Sequence, residues 1–201
     1  MNSVFRLSFV DCNPDRSLSE FLAETTHNDI AQFQIPKLPE NNRITINILT
    51  KDEFVRRRFL RRLEMKPFAS LVAYVDSSIH AIQFKEIAFL SRECYLKILR
   101  HECVHILQLL ASQVRPTSFE WLYESVACAV AEQQQEIREA VPSWETFSQC
   151  FYTIPNCYAI AYKFGVALLD HYTIPEMMRL SKSRDKCTSS CRQLYQKLFN
   201  R

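Results

Sequence analysis

A chain of 201 residues with a single glycine, Gly165, has few ways to turn sharply. Glycine supplies the positive-φ corners of tight hairpins and the open backbone of phosphate-binding loops, and ordinary proteins carry roughly 7% of it. Its scarcity argues against Gly-rich nucleotide loops, glycine-turned hairpins and flexible glycine linkers. Helices joined by Pro, Asn and Ser turns are the economical alternative. A hydrophobic share of 47% is ordinary for a globular chain, and the length suits one domain with a sizeable core.

Charge is nearly balanced, with 25 Lys and Arg against 22 Asp and Glu for a net +3. Bulk electrostatics therefore selects neither nucleic acid nor a membrane surface, and no nucleic-acid motif is visible. No apolar run approaches about 18 residues, and the broken run in MNSVFRLSFVDCNPD is too short for a signal segment. The chain accordingly reads as soluble and cytoplasmic. Eight cysteines form no C-x-x-C pair and read as small buried hydrophobes. Were the chain exported, Cys187/Cys191 and Cys150/Cys157 would be the local disulfide candidates.

No internal repeat is present, so residues 1–201 read as one domain, with a mixed half over 1–90 and a helical half over 91–201. Ser17-Leu-Ser-Glu20 and Thr50-Lys-Asp-Glu53 have the form of capping boxes and predict helices after them, the first ending before Pro36. Residues 43–50 alternate Ile44, Ile46 and Ile48 with polar neighbours, and 68–75 and 79–89 are rich in β-branched and aromatic residues; all three predict strands. From Ser91 the spacing turns helical and stays so to Ser112. Thr117-Ser-Phe-Glu120 predicts the next helix, running to about Ala140, with others at about 144–151, 156–172, 175–183 and 189–199.

Within the helix that ends at Ser112 stands His101-Glu-Cys-Val-His105. Residues four apart share a helix face, so both imidazoles can direct a nitrogen at one ion. A catalytic zinc wants three protein ligands and an open position. Glu124, separated from His105 by eighteen residues and placed near the start of the following helix in Trp121-Leu-Tyr-Glu124-Ser-Val-Ala127, is the third donor. A short loop over 113–117 lets that helix fold back.

H-E-x-x-H, eighteen residues and then W-L-x-E-x-x-A resembles the gluzincin metallopeptidases, particularly the membrane-alanyl aminopeptidase branch, where W-L-N-E-G-x-A is common. Tyr162-Lys-Phe-Gly-Val-Ala-Leu-Leu169 is similar to that branch's Y-x-x-G-F-A-L-L segment, and the likeness spans residues 95–170. The resemblance implies an α+β, mainly α, thermolysin-like zincin fold: a small N-terminal β-sheet, a helical half, and the active site between them. It implies that His101, His105 and Glu124 hold one Zn2+ ion, and that Glu102 is the general base for a zinc-bound water that attacks a peptide bond. Tyr162 would donate to the developing oxyanion, with Tyr158 one turn earlier as the alternative. The strand at about 79–87 would be an edge strand that pairs with an extended substrate. Ser125 departs from the branch's glycine. No G-x-M-E-N-like segment is present to grip a free amino terminus, so a zinc endopeptidase acting on peptides or proteins is expected in place of an aminopeptidase.

Blander alternatives exist for each residue. The two histidines and Glu124 could be a polar cluster on a helix surface, and Glu102 a salt-bridged glutamate. Cys128, one turn past Glu124, is either a neighbour of the metal ligands or a packing residue. His27 and His80 carry no spacing signal, and His171, nine residues past Tyr162 and about half a turn round the helix from it, reads as structural. Arg56, Arg57, Arg58, Arg61 and Arg62 form either a solvated helix face or a site for an anionic partner. Two other function classes follow: an inactive metallopeptidase-like zinc-binding module that binds peptides or protein partners, and a basic protein that works through its arginine helix.

Overall fold

The structure, a computed structural model, describes residues 5–10, 44–49, 52–53, 56, 73–76, 81–85, 92–112 and 119–199. The backbone divides into two compact units, one of Met1–Asn28 and Pro36–Ile106, the other of Asp29–Ile35 and Leu107–Arg201.

In the first unit four short segments pair through their backbones: β1 (Phe5–Val10), β2 (Ile44–Leu49), β3 (Ala73–Asp76) and β4 (Ala81–Lys85). Their order is β1-β2-β4-β3. β1 runs parallel to β2 with Phe5 opposite Ile44, β2 parallel to β4 with Thr45 opposite Ala81, and β3 antiparallel to β4 with Ala73 opposite Phe84. β4 is thus hydrogen-bonded on both sides. The expectation that the segment at about 79–87 presents a free edge to a substrate is corrected: a strand between two neighbours has no unpaired backbone row to offer. Asp52, Glu53 and Arg56 are helical, and Arg56 binds Glu53 through two nitrogens at 2.6 and 2.7 Å. The other arginines of that run, and the helix expected after Ser17, lie outside the described residues.

Helix α1 (Arg92–Ser112) follows. Its 21 residues contain neither Pro nor Gly, Glu93 stands in its first turn, and Lys97 pairs with Glu93 at 2.8 Å.

The second unit is built from α2 (Glu120–Val130), α3 (Trp144–Gln149), a 3-10 turn (Phe151–Thr153), α4 (Cys157–His171), α5 (Ile174–Leu180) and α6 (Arg184–Phe199). Every residue of α2 from Trp121 to Val130 is buried, which marks it as the central helix. Around it pack Trp144, Phe147, Phe164 and Tyr195, with ring centroids 4.8–6.2 Å apart in mostly tilted and edge-to-face pairs. The Tyr195 hydroxyl donates to the Pro142 carbonyl at 3.0 Å, which keeps the hydroxyl of this fully buried tyrosine paired.

Gly165 explains how closely α4 approaches α2. A Cβ built at that position would lie 1.9 Å from the Ser125 carbonyl oxygen and 2.9 Å from the Ala129 Cβ. The Ser125 hydroxyl, absent from the glycine of the resembling branch, is turned back on its own helix and donates to the Trp121 carbonyl at 2.5 Å.

The fold class read from the sequence is corrected here. Residues whose side chains are described are 76% helical and include no strand, so the body they form is a helical fold. It is not an α+β, thermolysin-like arrangement with its site between a sheet and a helical half. The pattern of the motif segment survives without that frame because helix spacing alone sets which residues share a face. No disulfide joins Cys150 to Cys157 or Cys187 to Cys191, so neither local candidate is formed. Among the described residues no helix is long and apolar enough to cross a membrane.

Candidate metal centre

Two consecutive helices carry the candidate ligands. On α1 the one-turn separation of His101 and His105 brings their Nε2 atoms to 2.9 Å, with ring centroids 4.5 Å apart and planes nearly perpendicular. On α2 the Glu124 side chain occupies the same neighbourhood. One ligand atom from each of His101, His105 and Glu124 lies within 4.8 Å of the others. His101 and Glu124 are buried, at 5% and 7% exposure, and His105 is half-buried.

That arrangement fits a metal ion on the chemistry of its donors. Two imidazole nitrogens and a carboxylate oxygen within 4.8 Å of one another form a donor set that could hold a metal ion.

The elements that hold these ligands are tied together by groups with no metal-binding role. Gln108, fully buried three residues past His105, donates from Nε2 to the Tyr123 carbonyl at 2.9 Å, one residue before Glu124. Phe119, not a capping side chain, occupies the N-cap position of α2, and Thr117 and Ser118 lie outside the described residues. α2 is held instead by burial on all sides.

Glu124 has a partner that the sequence reading did not name. The Tyr152 hydroxyl donates to its Oε1 at 2.6 Å. Burial, reinforced by the Glu124 charge, pushes the Tyr152 phenol far above its ordinary range, so it stays a donor. No spacing rule points to Tyr152, because it stands on a 3-10 turn 28 residues past Glu124.

The remaining candidates are placed as follows. Glu102 is half-buried on α1, one residue past His101 and three before His105. Tyr162 is half-buried on α4. Tyr158 is 39% exposed at the start of α4, edge-on to Phe151 at 6.0 Å. Cys128 is fully buried on α2. His171 is exposed at the end of α4, its Nδ1 2.9 Å from the Ala167 carbonyl, a local helix-end contact. No protein-family model matches the chain, and no curated protein matches it.

Proposed function

We propose that this protein is a metal-dependent hydrolase of peptide bonds that holds one zinc ion on His101, His105 and Glu124, as its likeness to the gluzincin motifs suggests. The observation that carries the reading is the convergence of those three donors to within 4.8 Å from two separate helices. When bound there, zinc supplies Lewis acidity, lowering the pKa of water toward about 7 and polarising a carbonyl oxygen. The chain's own residues do the rest. His101, His105 and Glu124 bind and orient the ion. Glu102, beside His101 and not among the three donors, takes and returns the proton that moves during hydrolysis. Tyr162 is the hydroxyl donor toward an oxygen that gains charge. The substrate is an internal peptide segment.

One observation favours a second reading, a zinc-binding module without turnover. β4 is paired on both sides, so the strand that would align a substrate in the resembling enzymes has no open edge. Two measurements separate the readings. Elemental analysis should find one zinc per chain in the wild type and none in Glu124→Ala. A peptide-library digest should then show cleavage that a chelator stops and that Glu102→Gln abolishes while its zinc is retained. Zinc at full stoichiometry with a blank digest would establish the module, and no zinc in either protein would overturn both readings.

A further inference from the structure

Tyr152 is presented to Glu124 by a turn built to hold it. Phe151, the residue before it, is 2% exposed and packs edge-on against Phe147 at 5.5 Å. The Thr153 amide and hydroxyl both donate to the Cys150 carbonyl, at 2.9 and 2.8 Å, and the Ile154 amide donates to the Phe151 carbonyl at 3.2 Å. The backbone on either side of Tyr152 is therefore fixed. The residue as a whole remains 37% exposed, so burial of apolar surface is not what it is there to achieve. A tyrosine so placed ordinarily turns its hydroxyl to water. This one reaches inward to the Oε1 of a carboxylate that is 7% exposed.

From this geometry we infer that Tyr152 is a positioning residue for the metal centre: its hydroxyl holds the Glu124 carboxylate in the ligating orientation and engages Oε1. The inference rests on the metal-binding reading above. Glu124 reaches the site through three rotatable bonds, and each must be frozen when an ion binds. A hydrogen bond to the ligand carboxylate, 2.6 Å long and charge-assisted, supplies that order beforehand. Partners of this kind set metal affinity without touching the ion, and losing one typically weakens binding roughly 10- to 100-fold.

The test uses Co2+ alone as probe, because its visible absorption reports ligand geometry directly. The full chain, Tyr152→Phe and Glu124→Ala are stripped of metal and titrated with Co2+, and Zn2+ is then competed against a chelator of known affinity. Tyr152→Phe should still bind one ion, with a dissociation constant raised roughly 10- to 100-fold and a shifted Co2+ band. Its metal-free unfolding curve should match the wild type, which separates positioning from a loss of fold. An affinity and spectrum identical to wild type would overturn the inference while leaving the metal site standing. Failure of the wild-type chain to bind Co2+ would overturn the metal reading and this inference with it. Should Tyr152→Phe unfold, Zn2+ competition on Tyr152→Trp, which keeps an aromatic ring but moves its donor, should show the same weakening; wild-type affinity there would count against the positioning role.

Discussion

Gln108 shows how much one polar side chain can do inside an apolar interface. It sits three residues past His105 and seven past His101, on the face that carries both, and spends its amide on the Tyr123 carbonyl of the neighbouring helix. A helix face of Leu alone would leave α1 and α2 free to slide; a directional bond next to Glu124 fixes their register. Gln108→Leu keeps the volume and removes the bond, and should cost about 1 kcal/mol, read as a lower urea midpoint with an unchanged slope. A midpoint equal to wild type would deny Gln108 that role. The same scale shows what the sequence could and could not reveal. His101, His105 and Glu124 were legible because helix periodicity and one loop length govern where they go. Tyr152 was not, because its approach to Glu124 depends on a 3-10 turn and on the seating of Phe151, and neither leaves a period in the sequence.

The end of α2 is where propensity and structure part. The sequence favours a helix to about Ala140, since Glu, Gln, Arg and Ala in EQQQEIREA are all good helix formers. The helix stops at Val130. Glu132 adopts φ 54°, and the Glu132 and Gln133 amides return to the Ala129 and Cys128 carbonyls at 3.1 and 2.9 Å, a Schellman closure with glutamate where glycine is usual. Residues 132–140 are mostly exposed, so continuing the helix would bury little, and propensity alone does not carry a helix of that length. Glu132→Gly should relieve the left-handed strain and stabilise the protein by about 0.5–1 kcal/mol, measurable as a raised melting temperature. A lower melting temperature would show that what the Glu132 side chain contributes outweighs the strain of its left-handed backbone. The start of α5 was easier to read, because Pro175 with the Thr173 and Glu176 pair marks it locally.

At the level of the whole molecule the composition carried more than the motif. One glycine in the chain pointed to helices, and that glycine proves to be the contact point of the two helices that pack most closely, α2 and α4. Gly165→Ala would push a methyl onto the Ser125 carbonyl. Backbone cannot yield as a flexible side chain does, so the overpacking outweighs the roughly 1 kcal/mol gain in helix propensity, for a net loss of about 2 kcal/mol. Because Ser125 adjoins Glu124, affinity for an ion held at the proposed site should fall together with thermal stability; a variant as stable as wild type would mean that α4 can retreat freely. The resemblance misled at this scale. It carried a fold by analogy from residues that specify only two helices. The aromatic cluster has a practical corollary. Trp121 and Trp144 are the chain's two tryptophans, both at most 3% exposed and stacked edge to face at 4.8 Å. Indole fluorescence therefore originates wholly inside the helical body, with Trp121 three residues from Glu124, and an emission-monitored melt follows the unfolding of that body.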